Sequence, residues 1–220
     1  MSDQRKRVML DSIFGLRGRS ALVTGSSRGI GAAIAQALGA AGADVIVHGK
    51  YQDSALGTRN LIIEAGGHAE ILSGDLSVQG QGKALIKACE KTAGKLEILV
   101  INASAQVNAE LSGINDEDLS LQIDTTLRST IEMLQTCLPL MAARGWGRVV
   151  SVGSINQSQP KPVVTAYAAL KAAQHNIIHS QARHYAKRGV LLNTLAPGLI
   201  DTDRNSKRKS DDPERWLAYT

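Results

Sequence analysis

Six short apolar runs recur along this chain, each divided from the next by a longer segment, and that alternation leaves few folds open. The runs cover residues 21–24, 45–48, 69–72, 98–101, 149–152 and 190–195. Between them the apolar spacing predicts helices over 30–41, 54–65, 78–92, 116–144 and 165–187. Gly42 and Gly66-Gly67 follow the first two helices, where a residue of left-handed conformation commonly closes a helical end. Pro139 falls inside the fourth and should kink it or mark its last turns. Strands that are apolar along their whole length are buried on both faces, so they pair in parallel through right-handed crossovers. The expected fold is therefore α/β, a doubly wound parallel sheet with helices on both faces. At 220 residues, with no internal repeat, low-complexity tract or linker, residues 1–220 read as a single domain.

Composition narrows the function classes. Hydrophobic residues make up 43% and charged residues 20%, as in ordinary soluble proteins. Aromatic residues are 3%, so the core must be built from Ala, Val, Ile and Leu. Cys89 and Cys137 lie in helical segments without the close spacing of metal or redox motifs and read as buried thiols. The basic N-terminus is broken by charges and glycines before any apolar stretch long enough for a signal peptide, which points to a cytoplasmic protein. No run reaches the roughly 18 apolar residues of a membrane span, so no membrane partner is expected. The net charge of +5 has two small clusters, Arg5-Lys6-Arg7 and Lys207-Arg208-Lys209. Neither comes with aromatic residues, a helix-turn-helix pattern or zinc ligands, so solvated charge explains them better than nucleic acid. An anionic small molecule such as a dinucleotide is the more economical partner. His175 and His179 stand at i and i+4, but no third ligand accompanies them and no metal is expected.

A glycine-rich segment joins the first strand to the first helix: Thr24-Gly25-Ser26-Ser27-Arg28-Gly29-Ile30-Gly31. Missing side chains there let the backbone turn tightly and approach a pyrophosphate, while the helix N-terminus offers unpaired N–H groups to it. That position suits a Rossmann-type dinucleotide site, with a spacing that differs from the G-x-G-x-x-G fingerprint; the alternative is a tight turn with no ligand. Such sites commonly carry a carboxylate at the end of the second strand for the ribose hydroxyls. Here the sequence is His48-Gly49-Lys50. Lys50, with Arg28 in the glycine loop, can pair with a 2′-phosphate, which favours NADP over NAD; the alternative is that both face solvent. Asp75, followed by Leu76 after the third strand, is placed to meet an adenine amino group, or else is a turn carboxylate beside Ser77.

Tyr167 and Lys171 are four residues apart in the 165–187 helix and share a face. An ammonium near a phenol stabilises the phenolate and lowers its pKa from about 10, so the pair can exchange a proton near neutral pH. Ser154, just beyond the fifth strand, can donate a hydrogen bond to the same substrate oxygen.

With these residues in order, the chain resembles the short-chain dehydrogenase/reductase family from about Leu16 to Thr202. The likeness rests on the Thr24 to Gly31 segment, Asp75-Leu76, Asn102-Ala103-Ser104, Ser154 with Tyr167 and Lys171, and Asn193-x-x-x-Pro197-Gly198-x-x-x-Thr202. It implies an NADP-dependent oxidoreductase that moves a hydride between nicotinamide and a secondary alcohol or its ketone. Tyr167 would be the general acid/base, Ser154 would orient the carbonyl or carbinol, and Lys171 would hold the nicotinamide ribose. The implied cofactor contacts are Gly25, Ser27, Arg28, Gly29, Ile30, Gly31, Lys50, Asp75, Leu76, Asn102, Tyr167, Lys171, Pro197, Gly198 and Thr202. Gly198 and Thr202 would lie near the nicotinamide carboxamide. A homo-oligomer, dimer or tetramer, is also implied.

Three departures stand out. Ile101-Asn102-Ala103-Ser104 replaces the usual Asn-Asn-Ala-Gly. Thr126 falls where the family usually has an Asn that supports a water in the proton relay, and its hydroxyl is the candidate replacement. The segment from Asp201 to Thr220 ends about where a lid helix and final strand usually follow, and Trp216-Leu217-Ala218-Tyr219 begins an apolar stretch with nothing after it to bury against. The chain is therefore expected to lack the usual lid and last strand. The first two departures leave a second reading open, a non-catalytic or weakly active dinucleotide-binding protein. The polar run Ser154-Ile155-Asn156-Gln157-Ser158-Gln159 beside the presumed carbonyl site points to a sugar or polyol substrate.

Overall fold

The computed structural model describes residues 13–217, without the side chains of Arg204, Lys207, Arg208 and Arg215. The Arg5-Lys6-Arg7 cluster, the reading of the N-terminus, Ala218 and Tyr219 lie outside the described residues, as do two side chains of the Lys207-Arg208-Lys209 cluster. All six expected strands form: β1 (Ser20–Val23), β2 (Asp44–Gly49), β3 (His68–Ser73), β4 (Ile98–Ile101), β5 (Gly147–Val152) and β6 (Val190–Leu195). They make one parallel sheet in the order β3-β2-β1-β4-β5-β6. The order reverses between β1 and β4, and a doubly wound sheet opens its ligand crevice at that switch point.

Side chains alternate across the strands into two cores. Leu22, Ile46, Leu99 and Val149 pack with helices α3 (Gln81–Ala93), α5 (Ser129–Ala143) and α6 (Thr165–Tyr185). Ala21, Val23, Val45 and Val100 pack with α1 (Gly29–Ala40) and α2 (Gln52–Glu64). Helices thus cover both faces, as the continuous apolar strands require. Helix α3 starts three residues later than its apolar spacing suggests, because Gly80 takes a left-handed φ of 87° immediately before it.

The long segment expected as one helix over 116–144 is helical throughout but not uniform. A first piece, α4 (Asp116–Gln122), runs into a π turn at Ile123–Arg128 and then into α5. Hydroxyls explain how the wider turn is tolerated. Ser129 Oγ donates to the Thr125 carbonyl at 2.6 Å and Thr130 Oγ1 to the Thr126 carbonyl at 2.7 Å, satisfying acceptors in the widened turn. Pro139 sits within α5 without ending it. After β6 come two short helices, α7 (Ser206–Asp211) and α8 (Pro213–Leu217). No helix among the described residues is long and apolar enough to cross a membrane.

Candidate active site

The loop from β1 to α1 is built by close backbone approach. Gly25 has φ 62°, and a Cβ there would lie 3.0 Å from the Ala103 Cα. At Gly31 a Cβ would fall 2.4 Å from the Gly25 carbonyl oxygen and 2.5 Å from Asn102 Nδ2, so no larger residue fits. Asn102 fastens the loop: its Nδ2 donates to the carbonyls of Thr24 and Gly25, each at 3.0 Å. Thr24 Oγ1 in turn accepts from the backbone N–H groups of Asn102 and Ala103 at 3.0 and 3.1 Å. The ends of β1 and β4 are thereby stitched together around the crevice.

His48, read from the sequence only as a strand residue, is the second clamp. It is buried, its Nδ1 accepts from the Gly25 N–H at 3.2 Å, and its Nε2 lies 3.2 Å from the Gly74 carbonyl. Accepting at Nδ1 fixes the neutral tautomer with the proton on Nε2. Burial lowers its pKa to about 4 against the raising effect of the Gly74 hydrogen bond. The strand alternation that places it at the end of β2 was legible; its partner 23 residues earlier was not.

Lys50 and Asp75 form an ion pair at 2.7 Å. Burial works against the Asp75 charge, but Lys50 and the Ser77 hydroxyl and N–H hold its pKa down to about 2. Asp75 makes the turn contacts with Ser77 and also lines the cavity beside Leu76. The first turn of α1 has neither a capping side chain nor an acidic residue, and it lines the same cavity as Arg28 and Lys50. An uncapped, cation-flanked helix N-terminus suits a phosphate group.

At the other end of the cavity, β5 delivers Ser154 and α6 delivers Tyr167 and Lys171. Ser154 Oγ accepts from the backbone N–H of Asn156 at 3.2 Å and from Asn156 Nδ2 at 3.3 Å, which directs its own proton away from that residue. Lys171 is 1% exposed, with Nζ donating to the Val152 carbonyl at 2.7 Å and to Gln174 Oε1 at 3.0 Å. Its Nζ lies 5.9 Å from the centre of the Tyr167 ring.

One cavity of about 940 Å³ unites these parts, at the upper end of the range for small-molecule sites. Every catalytic and cofactor-binding candidate named from the sequence lines it except Thr126. Thr126 is fully buried, its hydroxyl has no hydrogen-bond partner, and its neighbour Thr125 faces the cavity instead. The π turn accounts for this, since it rotates the helix face relative to regular α spacing. Trp216 corrects a second expectation: it is 6% exposed and lines the cavity, so it finds cover within this chain, whereas Leu217 is 74% exposed. Gln106, Asn108 and Asn156 also line the site, the first two from an irregular loop whose path the sequence did not reveal. The rings of His175 and His179 stack at 6.1 Å on an exposed face, and no group of metal-ligating residues occurs among the described residues.

Comparison with known proteins agrees with this geometry. The chain is 32% identical over 205 residues to a glucose 1-dehydrogenase of Gluconobacter oxydans, covering 92% of this chain and 77% of that protein. Among solved structures, a 3-oxoacyl (acyl-carrier-protein) reductase of Agrobacterium tumefaciens with NADP bound is 59% identical, with a TM-score of 0.92 over 100% of this chain and 84% of that one. A gluconate 5-dehydrogenase of Burkholderia cenocepacia in complex with NADP and tartrate is 30% identical, with a TM-score of 0.85 over 93% of this chain and 80% of that one. The family model for short chain dehydrogenases matches residues 19–213, nearly the whole described chain, and the protein belongs to that family of oxidoreductases.

Proposed function

We propose that this protein is an NADP-preferring oxidoreductase that interconverts a secondary alcohol and its ketone on a sugar or polyol substrate. The observation that carries the reading is the buried Lys171 ammonium, held 5.9 Å from the Tyr167 ring in the same cavity as the glycine loop. When bound, the nicotinamide dinucleotide supplies or accepts the hydride.

The chain's own residues supply the rest. Tyr167 gives its phenolic proton to the substrate oxygen in reduction and takes one from the alcohol in oxidation. Lys171 favours the phenolate by its charge. Ser154, accepting from Asn156 on one side, turns its O–H toward the same substrate oxygen. Arg28, Lys50 and the uncapped start of α1 receive the phosphates. Thr126 does not line the cavity and contributes through its backbone as a positioning residue.

Four observations support the finer assignments. The end of β2 presents Lys50 rather than a carboxylate, and a 2′-phosphate can join the Lys50–Asp75 pair on its cationic side. The compared structures from Agrobacterium and Burkholderia both hold NADP. Gln106, Asn108 and Asn156 offer amides at the substrate end, where hydroxyl groups need paired donors and acceptors. The glucose and gluconate dehydrogenases among the relatives fit a polyhydroxylated substrate. Fluorescence titration with NADPH and NADH tests the cofactor: tighter NADPH binding that weakens in Lys50→Ala and Arg28→Ala is expected. Equal affinity for the two nucleotides in the unmodified protein would refute the NADP preference. A panel in which acyl thioesters or steroids outperform sugars and polyols would refute the substrate class.

A further inference from the structure

Gln174 is fully buried in α6, where an amide side chain must find partners for both its ends. It finds them on three elements. Its Oε1 accepts from Lys171 Nζ at 3.0 Å, and its Nε2 donates to Thr130 Oγ1 at 2.8 Å and toward the Thr126 carbonyl at 3.4 Å. The orientation of the amide is forced by chemistry, because an ammonium only donates and must face the oxygen. The nitrogen is then left for the π turn and the start of α5. Thr130 Oγ1 in turn donates a hydrogen bond to the Thr126 carbonyl at 2.7 Å, so the amide, the hydroxyl and the carbonyl form a closed set. The Thr126 hydroxyl takes no part in it.

We propose that Gln174 is the positioning residue of this site: it holds the Lys171 ammonium beside Tyr167 by tying it to the π turn. The inference rests on the reading of Tyr167 and Lys171 given above. Lys171 has a long flexible side chain, and two fixed acceptors, the Val152 carbonyl from β5 and Gln174 Oε1, confine its charge. Both acceptors are neutral, so they confine the ammonium without cancelling the charge that Tyr167 feels. The wide turn also acquires a purpose, since it presents the Thr126 carbonyl, and the first turn of α5 the Thr130 hydroxyl, to one side chain of the neighbouring helix.

Ionisation of Tyr167 reports this arrangement without substrate or cofactor. Besides Tyr167, the ionisable groups that share the cavity with Lys171 are Arg28, His48, Lys50 and Asp75 around the glycine loop and Asp203, Asp211 and Asp212 after β6. None is altered in the test. Tyrosinate absorbance near 295 nm is titrated for the full chain and for Tyr167→Phe, and the difference isolates Tyr167 among the four tyrosines. The same titration is run on Gln174→Met, which keeps the side-chain length and removes the amide, with thermal unfolding recorded alongside. The expected result is a Tyr167 midpoint raised by about one unit, roughly a tenfold loss of phenolate at a given pH, as for loss of one hydrogen bond to a charged group. A folded Gln174→Met protein whose Tyr167 midpoint is unchanged overturns the proposal, whatever its melting temperature. Should that variant fail to fold, Thr130→Val keeps Gln174 and removes its better anchor; a smaller shift in the same direction supports the proposal and no shift overturns it. The midpoint in the unmodified protein tests Tyr167 as proton donor, while the change between variants tests Gln174, so the two failures are told apart.

Discussion

Acid should loosen this protein through His48, and the size of the effect follows from its surroundings. The imidazole is neutral because its Nδ1 accepts from the Gly25 N–H, and a proton placed there would leave two donors facing each other. Its pKa falls from 6.5 to about 4 on folding. A group with a lowered folded pKa of this kind binds its proton more readily in the unfolded chain, so protonation favours unfolding. Its contribution is full above pH 6.5 and is lost as pH falls through 6.5 toward 4. Each unit is worth about 1.4 kcal/mol, so the loss by pH 4 is about 3 kcal/mol. Urea denaturation at pH 7, 6, 5 and 4 of the unmodified chain and of His48→Gln measures it. Carboxylates titrate in both proteins and cancel in the difference. His48→Gln should be less stable than the unmodified chain at pH 7, and the gap should narrow by about 3 kcal/mol by pH 4. Identical pH dependence in the two proteins would refute the argument.

Gly31→Ala should weaken nucleotide binding and cost about 2 kcal/mol or more by denaturant titration, because its Cβ would meet backbone on the opposite side of the loop. Cys89 and Cys137 are both fully buried, and burial pushes their thiols up to about 12. Ellman's reagent at pH 8 should therefore label neither cysteine in the native protein and both in denaturant. Glu132 accepts from the backbone N–H groups of Gly80 and Gly82 at 2.8 and 3.0 Å and so caps α3 from a neighbouring helix. Glu132→Ala should cost about 1–3 kcal/mol by the same titration, with cofactor affinity unchanged.

The sheet was legible because short apolar runs alternate with helical segments and its central strands β1 and β4 are buried along their whole length, as a doubly covered parallel sheet requires, whereas the edge strand β3 has no buried residue. The glycine loop and the Tyr167–Lys171 pair were legible for a similar reason, since short-range spacing fixes their geometry. What depends on contacts between distant elements was not. The π turn is supported by hydroxyls of its own sequence, yet its link to Gln174 spans 48 residues, and apolar periodicity cannot register one widened turn. Thr126, expected to act through its hydroxyl, is buried behind the cavity wall, which Thr125 lines instead. His48 was legible as a strand residue, but its role depends on meeting Gly25 and Gly74 at once. Trp216 seemed to have no cover because its cover comes from the assembled chain beside the cavity, not from residues that follow it.

The most direct test of the central claim is Tyr167→Phe, assayed with the best substrate from the sugar and polyol panel alongside NADPH affinity. Removing one hydroxyl should lower turnover by about 10²–10⁴, the contribution of a general acid/base, while the NADPH dissociation constant stays within about threefold of the unmodified protein. Undiminished turnover in that variant would contradict the account.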